Sequence, residues 1–162
     1  EEADMVSAVN SAEIIAVGGG NTFQLTKLLH ENGLVEPIRK RVNSGHASYI
    51  GWSAGSNVAC PSVKTTNDMP IVYPPSFNGL NLVDFQINPH FTDRTLPNHG
   101  GETRTQRLKE FLEVNRHAVV MGVPEGGFIQ VEGDNTSYVG TTPAVKFIYG
   151  QEPQLLPTGS KI

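Results

Sequence analysis

Y-I-G-W-S-A-G-S-N-V-A, residues Tyr49 to Ala59, packs a strand end, a turn and a helix start into one short run. Ser48 to Gly51 suits a buried strand, and Gly55 to Cys60 suits a short helix that Pro61 stops. Strand–turn–helix is the unit from which parallel α/β sheets are built. The run also fits G-x-S-x-G at Gly51–Gly55, the pattern that lifts a serine hydroxyl onto a sharp elbow. The same small residues equally suit a close-packed turn in which Ser53 is a helix N-cap. The pentapeptide alone does not separate the two, so the decision falls to what the rest of the chain can bring to Ser53.

Working outward, E-I-I-A-V (Glu13–Val17) is a β-branched strand stopped by Gly18, Gly19 and Gly20. Asn21 or Thr22 can cap a helix running to about His30, and Pro37 suits the first turn of a second helix that ends near Gly45. The stretch from Pro61 to Leu80 is rich in proline and has little periodicity, which fits an ordered loop region over one end of a sheet. Leu82–Asn88 is predicted to be a strand, Glu102–Leu112 an amphipathic helix presenting Leu108, Phe111 and Leu112, and Ala118–Val123 a further buried strand. Beyond it, F-I-Q-V and S-Y-V-G flank a Gly133-Asp134-Asn135 turn, and A-V-K-F-I-Y-G follows, an antiparallel pattern. The expected fold class is therefore α/β: a mostly parallel sheet with flanking helices and a C-terminal antiparallel β segment, in one domain over residues 1–162. The opening E-E-A-D-M-V-S-A-V-N-S-A suits a helix leading into the first strand. A parallel α/β domain seldom begins that way, so the protein is expected to start earlier, with this chain a fragment of it.

Composition narrows the function. The chain has 162 residues, 38% hydrophobic and 17% charged, which suits a globular domain with a proper core. The net charge is -4 and no basic stripe interleaves with aromatics, which argues against nucleic acid as a partner. No long apolar run suits a membrane span, and no charged-then-apolar leader opens the sequence, so a cytoplasmic location is the simplest reading. Cys60 is the only cysteine, so neither an internal disulfide nor a cysteine metal cage is expected.

Ligands of parallel sheets bind beyond the carboxyl ends of the strands. The loops at those ends carry Gly18-Gly19-Gly20-Asn21, Ser53, His90 and Glu125. A nucleophilic serine needs a base. Among five histidines, His30 and His46 flank helices, His99 lies in a Gly-rich loop and His117 precedes a strand, whereas His90 ends a predicted strand. The base needs an acid to orient it. Glu125, after G-V-P, is the first candidate, with Asp68 and Asp93 as competitors and a solvated turn carboxylate as its plain alternative. An oxyanion needs two donors. The Ala54 amide, next after Ser53, can supply one, and the glycine loop can supply the other. That loop lacks the G-K-[ST] ending and the G-x-G-x-x-G spacing of nucleotide sites.

With these pieces assembled, the chain resembles peptidase E, the α-aspartyl dipeptidase family of serine peptidases. The resemblance rests on V-G-G-G-N-T-F-Q-L, Y-I-G-W-S-A-G-S-N-V-A-C-P, T-T-N-D-M-P-I-V, Q-I-N-P-H-F-T, G-E-T-R-T-Q-R and P-E-G, in family order from Glu13 to Gly126. It implies a glutamine-amidotransferase-like fold with flavodoxin-like layering. It also implies further βα structure ahead of this chain's start, and a looser match downstream of Glu125. It places the catalytic triad on Ser53, His90 and Glu125, and the oxyanion donors on the amides of Gly20 and Ala54. Substrate binding falls on Arg104, whose fork would pair with an aspartate side chain, and on Asp68 in the T-T-N-D signature. Arg94 and Arg107 are alternative readers, and an exposed helix-start charge is the plain reading of Arg104.

The function so implied is hydrolysis of Asp-Xaa dipeptides through an acyl-enzyme, with a small peptide as the partner and no metal or cofactor. A cyanophycinase-like peptidase of the same fold and a non-catalytic binding module that retains the pocket are the alternatives. Trp52 has no assigned role at this stage.

Overall fold

The carboxyl end of the first strand and the serine turn fit together only because the turn is built from glycines. A Cβ on Gly55 would lie 2.0 Å from the Val17 carbonyl oxygen, and one on Gly51 would lie 2.7 Å from the Gly55 oxygen. No side chain survives such contacts with backbone, so the helix after Ser53 can approach β1 this closely only with glycine there.

In this computed structural model, residues 4–94 and 100–162 are described. The chain forms two compact units, one through Gln86 and the other from Ile87 onward. In the first, α1 (Met5–Ser11) precedes β1 (Ile14–Val17), α2 (Thr22–Glu31), α3 (Val35–Asn43), β2 (Ser48–Gly51) and α4 (Ala54–Ala59). The strands β1 and β2 pair in parallel, from Ile14 opposite Ser48 to Val17 opposite Gly51. The Trp52 amide extends this ladder to the Val17 carbonyl at 3.2 Å, so the glycine loop and the serine turn leave the sheet side by side. Ile15 and Val17 point into a core with Leu29, Ile38, Val58, Val63 and Leu80, while Ile14 and Ile50 on the other face are more than half exposed. This is the alternation of strands buried on one face, where the sequence suggested full burial.

The Pro-rich loop is ordered, as expected, because it closes the end of α4. The amides of Leu80, Asn81 and Leu82 donate to the carbonyls of Val58, Cys60 and Ala59 at 2.6, 3.1 and 2.9 Å. These bonds also explain why the strand predicted from Leu82 starts later, as β3 (Gln86–Pro89). Backbone committed to capping α4 cannot join a ladder.

In the second unit β3, β4 (Val119–Val123), β7 (Ala144–Ile148) and β8 (Gln154–Leu156) form one sheet in that order. Pairs β4–β7 and β7–β8 are antiparallel. The strands β5 (Gly127–Glu132) and β6 (Asn135–Gly140) form an antiparallel hairpin, in which the pair Glu132–Asn135 closes a two-residue turn. Helix α5 (Arg104–Val114) buries Leu108 and Leu112 against Phe91, Val120 and Phe147. It starts two residues later than the periodicity suggests. Thr103 is the N-cap of a reciprocal box: the Gln106 amide donates to Thr103 Oγ1 at 3.2 Å, and the Thr103 amide to Gln106 Oε1 at 2.7 Å. The class is thus mixed α/β with flanking helices and a C-terminal antiparallel segment. Strand β8 is an addition the sequence did not signal. Among the described residues, no helix is long and apolar enough to cross a membrane.

The contact between Gly55 and Val17 makes a direct prediction. Gly55→Ala should destabilise the protein by about 2 kcal/mol or more, the upper range of overpacking, read as a lowered urea midpoint at unchanged m-value. A midpoint equal to wild type would mean that the turn does not depend on this approach.

Candidate functional site

The serine turn is strained. Ser53 sits at φ 55° and ψ −116°, a conformation that L-residues avoid, and it is the N-cap of α4 without making a side-chain capping bond. The simple capping role is therefore not what holds Ser53 there. Its neighbours hold it instead. Trp52 is tied to β1, the Tyr49 hydroxyl donates to the Gly55 carbonyl at 2.7 Å, and Ser56 Oγ donates to the Gly51 carbonyl at 3.2 Å. Burial pushes the Tyr49 phenol well above its usual range, with Cys60 adding to the shift, so the hydroxyl remains a donor.

The glycine loop lies against this turn. A Cβ on Gly19 would be 3.3 Å from Ser53 Cβ and 3.6 Å from its Oγ. Gly20 has φ 127°, which favours glycine. Ala54 is the first residue of α4, so its amide has no partner within the helix. One compact unit thus brings together the candidate nucleophile, the glycine loop and the start of α4. Trp52 lies over this loop: a Cβ on Gly18 would be 3.1 Å from its ring, and the residue is 56% exposed. It is a wall above the glycines, not packing beneath the turn.

Asp68 lies in the same unit. Its Oδ2 accepts the Thr22 amide at 2.7 Å at the start of α2, one residue after the Asn21 N-cap. Asn21 Oδ1 accepts the amides of Phe23 and Gln24, both at 3.1 Å, and its Nδ2 donates to the Met69 carbonyl at 2.8 Å. Of the two cap candidates, Asn21 is the cap, and Thr22 is buried beneath the loop.

The second unit contains the other candidates. His90 follows β3 at φ 54°, a positive φ that among the described non-glycine residues it shares with Ser53 and Asn81. The Phe91 amide donates to the Val123 carbonyl at 2.9 Å, so the carboxyl ends of β3 and β4 are adjacent. Phe91 fills the space left by Gly122, where a Cβ would meet its ring at 2.7 Å. His90 Nδ1 is hydrogen-bonded to Glu125 Oε1. That contact favours the tautomer with the proton on Nδ1 and leaves Nε2 as the acceptor. The competitors of Glu125 are engaged elsewhere: Asp68 as above, and Asp93 with the Thr105 amide at 3.0 Å and with its hydroxyl.

Arg104 is the first residue of α5. Its Nη1 donates to the carbonyls of Pro89, at 3.2 Å, and of His90. Among the described residues, Nε and Nη2 make no hydrogen bond. Partial burial, and then the charge of Arg107, hold its guanidinium below the usual arginine range, while Glu125 pulls the other way. Arg107 pairs loosely with Glu102 at 3.9 Å. Among the described residues, His30 is hydrogen-bonded to the Asn78 carbonyl at 2.9 Å and His46 to Ser44 Oγ at 2.7 Å. His99 lies outside the described residues. The residues that sequence reasoning missed are Thr66 and Asn57, which reach Thr22. The T-T-N-D signature pointed to Thr66, and nothing singled out Asn57.

The sequence of this chain matches the model of peptidase family S51 over residues 1–139. The chain belongs to peptidase family S51. Similar proteins include peptidase E of Nostoc sp. (strain PCC 7120), 53% identical over 90% of this chain and 60% of that protein. Peptidase E of Salmonella newport (strain SL254) is 50% identical over 98% of this chain and 69% of that protein. The chain therefore spans about two thirds or less of these curated relatives. A crystal structure from Listeria monocytogenes EGD-e, provisionally assigned to peptidase E, superimposes with a TM-score of 0.64 at 22% identity, covering 85% of this chain and 64% of its own. It supports the S51 fold.

Strain at Ser53 gives a test that needs no substrate. Ser53→Gly should be more stable than Ser53→Ala by about 1 kcal/mol, because relief of a positive φ outweighs glycine's larger entropy in the unfolded chain. Equal stabilities in chemical denaturation would show the turn to be relaxed.

Proposed function

We propose that the protein is a serine exopeptidase of family S51 that hydrolyses dipeptides with an N-terminal aspartate. The observation that carries this reading is the Ser53 backbone: a strained, non-capping serine at a strand-to-helix turn, with Gly19 against its hydroxyl. A packing turn has no need of that conformation, and strain of this kind concentrates at functional sites. The His90–Glu125 hydrogen bond supports this reading, because an imidazole held by a carboxylate is the kind of base such a serine requires.

In this reading His90 takes the Ser53 proton through Nε2 as Oγ attacks the carbonyl carbon of the aspartyl residue. The amides of Gly20 and Ala54 stabilise the oxyanion. The imidazolium, held by Glu125, then protonates the leaving amine as the peptide C–N bond breaks. Water, deprotonated by His90, attacks the aspartyl ester, which releases aspartate and restores Ser53. The unoccupied edge of the Arg104 guanidinium suits the β-carboxylate of the substrate through a paired fork. The reaction needs no metal or cofactor. Peptide as the substrate class agrees with the name peptidase E that the relatives carry.

The full-length protein tests each part. Ser53→Ala should lower turnover of Asp-Leu and Asp-p-nitroanilide by at least about 10³-fold while the far-UV spectrum stays native. Retained activity there would remove Ser53 from the mechanism, and failure of wild type to label with a fluorophosphonate or turn over either substrate would favour a binding module. Arg104→Ala should reduce kcat/KM for Asp substrates by about 10- to 100-fold, the scale of one lost charged hydrogen-bond pair. Unchanged preference for Asp-Leu over Asn-Leu would assign the side-chain reader elsewhere.

A further inference from the structure

We propose that Asp68 is a positioning residue that clamps the oxyanion loop, and not a ligand of the substrate. The inference starts from the start of α2, two residues beyond Gly20. The first amides of a helix have no partner inside it. Here Asn21 takes those of Phe23 and Gln24, and the Asp68 carboxylate takes that of Thr22. A carboxylate is the favoured group at that end of a helix, where the backbone dipoles present partial positive charge. Because Thr22 is fully buried, water does not replace Asp68 without rearrangement.

The clamp continues to the serine turn. The Asp68 amide donates to Thr66 Oγ1 at 3.1 Å, Thr66 Oγ1 donates to Thr22 Oγ1 at 3.0 Å, and Thr22 Oγ1 makes a long contact of 3.5 Å with Asn57 Oδ1. Asn57 is on α4, the helix whose first amide belongs to Ala54, and it is 2% exposed. A chain of polar contacts therefore joins the segment carrying Gly20 to the helix carrying Ala54. Those are the two proposed oxyanion donors, and their spacing must be held to a fraction of an ångström to act together. Gly19 and Gly20 are exposed, and the loop has no side chains with which to hold itself. Its geometry is set where it ends, by Asn21 and Asp68.

The kinetic part of this proposal rests on the serine-peptidase reading, and the structural part does not. The test uses the full-length protein with Asp68→Ala, Asp68→Asn and Thr66→Val. Asparagine keeps an acceptor oxygen for the Thr22 amide but loses the charge that a substrate ammonium would need. Amide hydrogen exchange at Thr22, followed by NMR, should be at least about tenfold faster in Asp68→Ala and within about threefold of wild type in Asp68→Asn. In the same variants kcat should fall by about 10- to 100-fold in Asp68→Ala, approaching the loss of an oxyanion donor, with KM held within about threefold. Asp68→Asn should recover most of kcat. If Asp68→Ala does not fold, Thr66→Val carries the test, with faster Thr22 exchange and lowered kcat at unchanged KM. Unaltered Thr22 exchange in Asp68→Ala, or in Thr66→Val where that variant stands in, overturns the clamp. So does an Asp68→Asn variant as impaired as Asp68→Ala with its defect in KM, the mark of a lost charge partner for substrate. A protein without peptidase activity would refute the reading of the site, and Thr22 exchange alone would then decide the clamp.

Discussion

The approach of Gly55 to the Val17 carbonyl is the constraint on which the serine turn depends. With a Cβ excluded at that position, α4 can begin directly over the end of β1. Three consequences follow from that one contact. Trp52 can extend the parallel ladder to Val17, Ser53 is driven to positive φ, and Gly55 comes up against the Gly18 carbonyl of the glycine loop. A helix one residue further from the strand would relax Ser53 and separate it from Gly19. The strain at Ser53 is thus the local consequence of tight packing in the two residues after it, and the hydrogen bonds from Tyr49 and Ser56 oppose its release.

Much of this was legible in the sequence because small residues at fixed spacing have few uses. G-W-S-A-G at the end of the strand Ser48–Gly51 marks a tight turn, and the triple glycine after the β-branched Glu13–Val17 marks a loop by composition alone. His90 stood out by position at a predicted strand end, and Glu125 by its P-E-G turn; the structure joins the two by a hydrogen bond. What remained illegible has a common cause, which is backbone bonded outside its own element. Leu82 read as the start of a strand, yet its amide, with those of Leu80 and Asn81, closes α4. Residues Glu102 and Thr103 read as helix by periodicity, yet Thr103 and Gln106 form a capping box that sets the helix start at Arg104. Periodicity measures which face is apolar and is silent about where the amides go.

Arg104 shows how one residue can answer two demands. Its place in the first turn of α5 is electrostatically unfavourable, because a cation there opposes the helix dipole. Burial lowers the cost of losing its proton, and Arg107 adds repulsion. Those penalties are offset by Nη1 holding the carbonyls of Pro89 and His90, the latter a non-glycine residue at positive φ. A guanidinium fixed along one edge is also better prepared to receive a carboxylate on the other, since less rotamer entropy remains to be lost. Under the proposed function, support of the His90 backbone and reading of an acidic side chain would be compatible in a single planar group, whereas lysine, with one charged centre, could not do both.

The three glycines in the loop after β1 show why a composition rule for phosphate loops does not transfer here. In a phosphate loop the glycines let backbone amides converge on an anion that is present in the ground state. In this chain Gly18 is small because the Trp52 ring lies 3.1 Å from where a Cβ would be, and Gly19 because Ser53 lies at 3.3 Å. Gly20 has open space around it and is glycine for its φ of 127°. Two positions make room for the serine turn, and one sets a backbone direction. In the proposed reaction, a loop shaped by its neighbour in this way would meet a negative charge that arises beside Ser53 only as the bond forms, and amides held in place beforehand would need no reorganisation then.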